Sequence, residues 1–286
     1  MATLKPATTY EQQLNILRQR NVIIRDEKQC LYALEHINYY RLTAYLLPFK
    51  QTNDTYLPGT ELDTAYKLYE FDRHLRILML TAIEEIEIFF RSKLAYFHSH
   101  NYGPEGYMDP ANFSTHHDHQ KFVDNFNREV KSNSQSLIVK HHLQQYQGHF
   151  PLWAAVEFFS FGMISRFYSD LTTKDQKILS INMYGNNYYV GVRSWLKCCT
   201  DLRNISAHYG RLYFRVFPSV PAKAPGSNSQ NSRLFGAIFA LKSLYPDSDK
   251  WNRDILPQIK ALIDSNKHVS LDHIGFPTDW ENFLKK

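Results

Sequence analysis

Apolar residues recur along most of the chain at three- and four-residue steps, the spacing of one face of an α-helix. The clearest stretch is 62–98, where most charged residues fall outside the apolar stripe. The stripe consists of Leu68, Phe71, Leu75, Leu78, Met79, Ala82, Ile83, Ile86, Phe90, Leu94 and Phe97. This pattern predicts one long helix that Thr60 caps and that ends before Gly103.

The same spacing predicts shorter helices before and after the long one. They cover residues 10–20, 27–36, 36–48, 151–171, 173–183, 188–208, 233–245, 251–265 and 278–284, with one more short helix inside the polar region 114–136. Residues 51–60 and 218–232 are predicted to be loops, since turn-forming residues are frequent in them. No run of alternating β-branched residues indicates a sheet, so the predicted fold class is all-α.

The composition is typical of a soluble globular protein, with 43% hydrophobic and 21% charged residues. The N-terminus lacks the pattern of a signal peptide, and the apolar stretch 77–90 is broken by glutamates and too short to span a bilayer. Three cysteines provide neither a disulfide framework nor the spacing of a zinc site. We therefore expect a cytoplasmic protein of a reducing compartment with no membrane partner.

The segment with the richest chemistry is DLRNISAHYGRLYFR, residues 201–215, which holds Arg203, Asn204, His208, Arg211 and Arg215. Arginine offers a permanent, planar charge to phosphate oxygens. Histidine, with an ordinary pKa of ~6.5, both takes and gives a proton near neutral pH. This combination can bind a phosphodiester and move its protons. The net charge of +5 is compatible with such a polyanionic partner without requiring one.

Helix geometry keeps Arg203 and His208 apart within one regular helix, because five steps place them about 140° from each other. They can meet through the reach of the arginine, through a helix end near Gly210, or through a second copy of the chain. We favour the second copy, since a twofold axis brings two identical segments together. The non-catalytic alternative is that Arg203 pairs with Asp201 or Glu157 while His208 caps the helix C-terminus.

A second arginine–histidine pair lies within the long predicted helix. Arg91 and His98 have six residues between them, and seven steps bring them to nearly the same helix face. They are a candidate second half-site. The favoured interpretation is structural, with Arg91 anchoring the helix through Glu87 at i−4.

Several histidines raise the question of a metal site: His116, His117, His119, His141, His142 and His149. Their flanks resemble loops, and no pair has the i, i+4 spacing with a glutamate between that zinc proteases use. A solvated polar surface is the simpler interpretation. We therefore predict neither a metal nor another cofactor.

RNISAH at 203–208 resembles the R-x4-6-H signature of the HEPN ribonuclease superfamily, in its R-N-x-x-A-H form. Other segments resemble the Abi-like abortive-infection family, of AbiD/AbiF type, in the order that this family shows. These segments are residues 37–49, 69–96, 102–109 and 151–171. Together the matches cover about residues 30–215, and the ordered set is far more specific than a lone R-x4-H.

The resemblance implies an α-helical HEPN-type bundle that dimerises and cleaves RNA in bacterial antiphage defence. The predicted domains are an N-terminal helical extension (1–59), the Abi-like HEPN core (60–217), a loop (218–232) and a C-terminal helical extension packed on the core (233–286). A small structured RNA or a protein antitoxin is the implied regulator. After the alanine the family often reads H-H-G-R-L-W-N-R, whereas this chain has Tyr209 for the second histidine and Phe214 for the asparagine.

The predicted function is therefore a metal-independent endoribonuclease toxin, of an abortive-infection or toxin–antitoxin system, with a composite site at a homodimer interface. His208 acts as general acid or base, Arg203 stabilises transition-state charge, and Asn204 orients the imidazole or binds phosphate.

The predicted RNA-binding residues are Arg211, Arg215 and Arg41. Apolar neighbours, however, favour a buried and paired Arg41. The alternative function is a non-catalytic RNA-binding or scaffold protein of the same fold.

Overall fold

The computed structural model describes residue 4 and residues 6–223 and 231–286, and most of these are helical. The α-helices are α1 (Tyr10–Gln19), α2 (Glu27–His36), α3 (Tyr39–Thr43), α4 (Leu62–Tyr102), α5 (His119–Ser132), α6 (Leu137–Gln145), α7 (Leu152–Ala155), α8 (Phe161–Asp170), α9 (Thr173–Tyr184), α10 (Tyr189–Ala207), α11 (Leu234–Leu244), α12 (Ser248–Lys250), α13 (Leu256–Asp264) and α14 (Trp280–Leu284). Within the described ranges no strand forms and backbone bridges are isolated pairs, so the predicted all-α class is confirmed.

The helix predicted over 36–48 is divided into two parts, which corrects that prediction. Ile37 is extended and ends α2, and the side-chain oxygen of Asn38 accepts a hydrogen bond from the Tyr40 N–H at 3.0 Å. Such a bond satisfies one of the free N–H groups at a helix start, so α3 begins here. The chain then tightens into a 3-10 helix over Ala44–Phe49.

The core helix predicted over 151–171 is also interrupted. It comprises the short α7, a 3-10 turn and α8, with Phe159 extended between the last two. The Ser160 hydroxyl accepts a hydrogen bond from the Met163 N–H and caps α8. Apolar residues run through this break, so periodicity alone did not reveal it.

The start of α4 differs from the prediction as well. Its N-cap residue is Glu61, whereas the Thr60 hydroxyl donates a hydrogen bond to the Leu57 carbonyl at 2.7 Å. Glu61 makes no side-chain capping bond, and its carboxylate pairs with Arg25. Thr60 therefore stabilises the preceding turn and does not cap the helix.

Helix α6 lies in a region where no helix was predicted. It contains His141 and His142, so the flanks of these two residues are helical, contrary to the expectation of loops. The His142 ring stacks on Phe150 with ring centroids 5.0 Å apart. Only Val139 and His142 are buried on α6, which explains why its apolar signal in the sequence is weak.

Helix α4 forms the central element of the fold. At 1.5 Å per residue its 41 residues extend about 60 Å. It packs against α3, α7, α8, α10 and α13, and one continuous hydrophobic core extends from Leu14 to Leu284. Three polar residues nevertheless lie on its buried face: Asp72, Arg76 and His98.

The C-terminal helices share this core, since α11 packs against α10 and α4. The division of the chain into four predicted parts stays a prediction, and residues 224–230 of the predicted loop lie outside the described residues. The described residues before and after them are joined by a hydrogen bond from the Phe217 N–H to the Ser232 carbonyl. Among the helices described, none combines the length and apolar character needed to cross a bilayer.

Candidate functional site

The C-terminus of α10 places His208 at a sharp, well-bonded turn. His208 is the C-cap residue, and Tyr209 follows in the left-handed region with φ +57°. The Gly210 N–H donates to the Ile205 carbonyl at 2.7 Å, and the Tyr209 N–H donates to the Ser206 carbonyl at 3.1 Å. These two bonds are those of a Schellman motif, which normally has glycine where this chain has Tyr209.

Glycine is needed one position later for steric reasons. A Cβ atom on Gly210 would lie 2.9 Å from Ile205 Cγ2 and 3.0 Å from the Ile205 carbonyl oxygen. A larger residue at this position would therefore require Ile205 to shift. This tight turn fixes the position of His208 relative to the rest of the fold.

The three predicted catalytic residues lie at the C-terminal end of α10. Asn204 and His208 are exposed, and Arg203 is half-buried with its Nη1 atom 3.4 Å from Asn204 Oδ1. Among the described residues, no hydrogen bond or ring contact engages the His208 imidazole and no carboxylate pairs with Arg203. The alternative in which Arg203 pairs with Asp201 or Glu157 is therefore wrong, whereas His208 does occupy the C-cap.

Arg203 and His208 do not contact each other within one chain. They lie five residues apart on one regular helix, which places them about 140° apart around its axis. The first two routes considered for their convergence, the reach of the arginine and the helix end, are not used in this structure. A second chain remains the predicted route.

A buried carboxylate holds the segment that follows the turn. Asp72 is fully buried on α4 and accepts hydrogen bonds from the backbone N–H groups of Leu212 at 3.0 Å and Tyr213 at 2.8 Å. It also accepts from the Tyr45 hydroxyl at 2.8 Å and from Arg76 Nη1 at 2.7 Å. Burial raises the pKa of Asp72, and these donors act in the opposite direction.

Two arginines from other elements bind the carbonyl groups at the turn. Arg41 Nη1 donates to the Tyr209 carbonyl at 2.5 Å, and Arg76 Nη1 approaches the Gly210 carbonyl at 3.4 Å. Arg41 is exposed and has no carboxylate partner in the described structure, so its interpretation as a buried, paired arginine is wrong. Its guanidinium instead lies beside the backbone that follows His208.

Arg211 and Arg215 lie on the same segment and are half-buried. Arg211 Nη1 donates to the Tyr213 carbonyl at 2.9 Å, and burial lowers the pKa of Arg211, with Arg215 and Arg233 acting in the same direction. Arg233 stacks on the Phe214 ring, with Cζ 4.8 Å from its centroid. Three cations thus lie close together beyond the turn.

Phe214 occupies a backbone position that favours asparagine. Its φ is +52°, a left-handed conformation that asparagine tolerates better than a bulky residue. An asparagine, as in the motif that the segment resembles, would fit this conformation. In this chain the Phe214 ring instead packs against Arg233 and His273.

The arginines fall into two groups according to their partners. One group pairs with carboxylates: Arg18, Arg20, Arg25, Arg73, Arg76, Arg91, Arg166 and Arg253. In the other group no described carboxylate lies within 4.0 Å: Arg41, Arg128, Arg193, Arg203, Arg211, Arg215 and Arg233. All of the second group except Arg128 belong to α10, to the segment after it or to side chains that contact that segment. Arginines without a carboxylate partner in the described structure are thus concentrated on α10 and along the segment that follows His208.

The two residues of the candidate second half-site, Arg91 and His98, make separate contacts. Arg91 pairs with Glu87 at 2.6 Å, the anchoring contact considered above, and donates to the Phe159 carbonyl at 2.9 Å. His98 is fully buried, its ring packs against Phe113 and Phe167, and neither ring nitrogen has a hydrogen-bond partner among the described residues. The structure therefore does not bring Arg91 and His98 into one exposed site.

His98 should make the fold sensitive to acid. Burial lowers its pKa to about 4, whereas the unfolded chain protonates it near 6.5. Because the unfolded state binds the proton more tightly, stability falls as pH drops through this window, by about 2 kcal/mol between pH 7.5 and 5. Urea unfolding at both pH values tests this. His98→Phe should remove about that much of the pH dependence, and an unchanged dependence in this variant would contradict the assignment.

The other histidines do not assemble into a metal site. No group of three or more His, Cys, Asp or Glu side chains in the described residues is arranged to hold a metal ion. His117 bonds Asp170 at 3.0 Å and His119 at 3.2 Å, and His149 bonds Glu105 at 3.0 Å. The His117 contacts are partly buried, whereas the His149–Glu105 pair is exposed.

Asp72, Arg76 and Tyr45 hold the segment that follows His208, and none of them was predicted from the sequence. The available signal was Asp72 and Arg76 at i, i+4, next to Phe71 and Leu75 of the apolar stripe of α4. Charged residues next to a buried apolar stripe indicate side chains that are themselves buried and form an ion pair. The sequence pattern did not indicate that these side chains bind the backbone after His208.

Comparison with known proteins identifies the family. The family model described as Abi-like protein matches residues 32–214, which include α4, Asp72 and the segment with Arg203 and His208. No curated protein and no solved structure shows a significant match. Since the matched region covers more than half of the chain, the chain belongs to the Abi-like protein family.

Proposed function

We propose that the chain is a metal-independent endoribonuclease that acts in abortive-infection defence. The observation that supports this most is the state of His208. Its imidazole is exposed and unpartnered among the described residues, on a turn held by Asp72, Arg41 and Arg76, with uncompensated arginines around it. A general acid or base needs this combination of access, fixed position and nearby positive charge.

RNA supplies its own nucleophile in this reaction. The 2′-oxygen attacks the adjacent phosphorus, the bond from phosphorus to the 5′-oxygen breaks, and the 2′-hydroxyl proton is lost while the leaving oxygen gains one. His208 carries out one of these proton transfers, and Arg203 stabilises the charge that develops on the phosphate oxygens. Asn204, adjacent on the same helix face as His208, binds phosphate or orients the imidazole. Arg211, Arg215 and Arg41 contribute to RNA binding.

The complete site requires two chains in this proposal. Within one chain Arg203 and His208 lie about 140° apart around the helix axis. A single protomer therefore has no site at which both side chains meet. A twofold dimer that joins the ends of two α10 helices would place the arginine of one protomer near the histidine of its partner. This arrangement belongs to a HEPN-type bundle, and a small structured RNA or a protein antitoxin would control it.

The reaction products test the chemistry. Incubating the purified chain with single-stranded RNA in excess EDTA should give cleavage with 2′,3′-cyclic phosphate and 5′-hydroxyl ends. Mass spectrometry of the products identifies both ends. Cleavage that requires added Mg²⁺, or that leaves 5′-phosphate and 3′-hydroxyl ends, would contradict the mechanism.

A second candidate function is RNA binding without catalysis. The separation of Arg203 and His208 within the protomer favours it, because a monomer would keep the basic surface and lack a complete site. This function predicts that the parent protein binds RNA with a strong salt dependence and releases no cleavage products, whatever its oligomeric state.

A further inference from the structure

We propose that the groove between α8 and α10 binds the sugar–phosphate backbone of the RNA strand that leads to His208. The identity of the ligand as RNA rests on the proposed function. The groove itself is a separate feature of the fold, of about 530 Å³, and none of the predicted site residues lines it.

The lining of the groove carries more positive than negative charge. Arg166, Arg193 and Lys197 line it, and Asp201 is the single carboxylate among the lining residues. Arg166 pairs with the buried Asp170 at 3.1 Å. Arg193 and Lys197, by contrast, are exposed, and no carboxylate of the described residues pairs with either. Two charges are therefore available to an anionic ligand.

These two charges lie in line with the candidate catalytic residues. Along α10 the steps from Arg193 to Lys197, Asn204 and His208 are four, seven and four residues, which keeps all four within about 60° of one helix face. At 1.5 Å per residue, Lys197 lies about 16 Å and Arg193 about 22 Å along the axis from His208. An extended strand whose scissile linkage lies at His208 would pass both cations and, between Lys197 and Asn204, the carboxylate of Asp201.

The uncharged lining indicates recognition of the backbone rather than the bases. Gly162, Ser165 and Ser169 are small, and the lining contains no aromatic side chain on which a base could stack. Sequence-tolerant binding of single strands normally combines a basic groove with such stacking. Without it, phosphate contacts dominate, so binding should be salt-dependent and indifferent to base identity.

The test measures RNA binding in a His208→Ala background, where cleavage does not interfere. In this background Arg193→Gln with Lys197→Gln should weaken binding of oligo(U) and oligo(A) to the same extent, by about tenfold. The slope of log affinity against log salt concentration should become shallower by about 1.4, which is about 0.7 for each phosphate contact of a single strand. The matched control is Arg253→Gln with Lys267→Gln, which removes two exposed charges, one before and one after α13. It should leave both affinity and slope unchanged.

The outcomes separate this proposal from the proposed function. If the parent chain cleaves RNA while the groove and control variants bind equally well, the groove proposal is wrong and the nuclease function stands. If the groove variant loses binding selectively while the parent protein never cleaves RNA, the groove is supported and the catalytic function fails. Circular dichroism of each variant confirms that the fold is retained, as expected for exposed side chains.

Discussion

Replacing His208 with alanine is expected to reduce the rate of RNA cleavage by about 10²–10⁴-fold and to leave RNA binding intact. This range is what a single general acid or base typically contributes. The side chain is exposed and makes no hydrogen bond, ion pair or ring contact among the described residues, so its removal should change the free energy of unfolding little. Cleavage of a labelled RNA under single-turnover conditions measures the rate, and filter binding measures affinity.

The control variant is His116→Ala. His116 is also exposed, and in the described structure it makes no side-chain hydrogen bond. Its removal should leave cleavage, binding and stability unchanged. If His208→Ala cleaves RNA as fast as His116→Ala does, His208 is not the catalytic group.

Mixing two inactive variants tests whether the site is composite. Arg203→Ala and His208→Ala protomers should each be inactive alone. When the two chains are coexpressed, half of the dimers are mixed and each of these holds one intact site, so about a quarter of the parent activity should return. If both residues of one site came from the same protomer, the mixture would stay inactive.

The sequence predicted the helical class and most helices because apolar periodicity extends over the whole chain. Two of its errors occur where a short polar residue competes with the helix for backbone hydrogen bonds. Asn38 and Ser160 each begin a new helix inside an apolar run, so continuous helices were predicted across both breaks. Periodicity describes which face is buried, and it contains little information about where the backbone turns.

The candidate site was predicted only in part, for a related reason. Its chemistry is local in sequence, since the predicted acid or base and the arginines lie within 203–215. The residue that fixes this segment is distant in sequence. Asp72 binds Leu212 and Tyr213, which lie 140 and 141 positions further along the chain. Pairings of this kind depend on the packing of α4 against the following segment, which no local pattern specifies.

Asp72→Asn is expected to lower the free energy of unfolding by about 3–5 kcal/mol, the range for breaking a buried ion pair. The substitution is nearly isosteric, yet it leaves the buried Arg76 without its counter-charge and turns an acceptor into a donor opposite other donors. Urea unfolding followed by tryptophan fluorescence measures the change. Glu70→Gln is the matched control, because Glu70 pairs with Arg73 on the exposed side of the same helix. It should cost at most about 1 kcal/mol.

A double variant distinguishes the ion pair of Asp72 with Arg76 from its hydrogen bonds to the backbone. Asp72→Leu with Arg76→Met removes both charges, so no uncompensated arginine remains and that part of the loss should not occur. Leucine cannot accept the hydrogen bonds from the Leu212 and Tyr213 N–H groups, and their loss accounts for a remaining deficit of about 1–3 kcal/mol. Because those bonds fix the backbone after His208, RNA cleavage should stay low even where stability recovers. A double variant with full activity would show that Asp72 stabilises the fold without positioning the site.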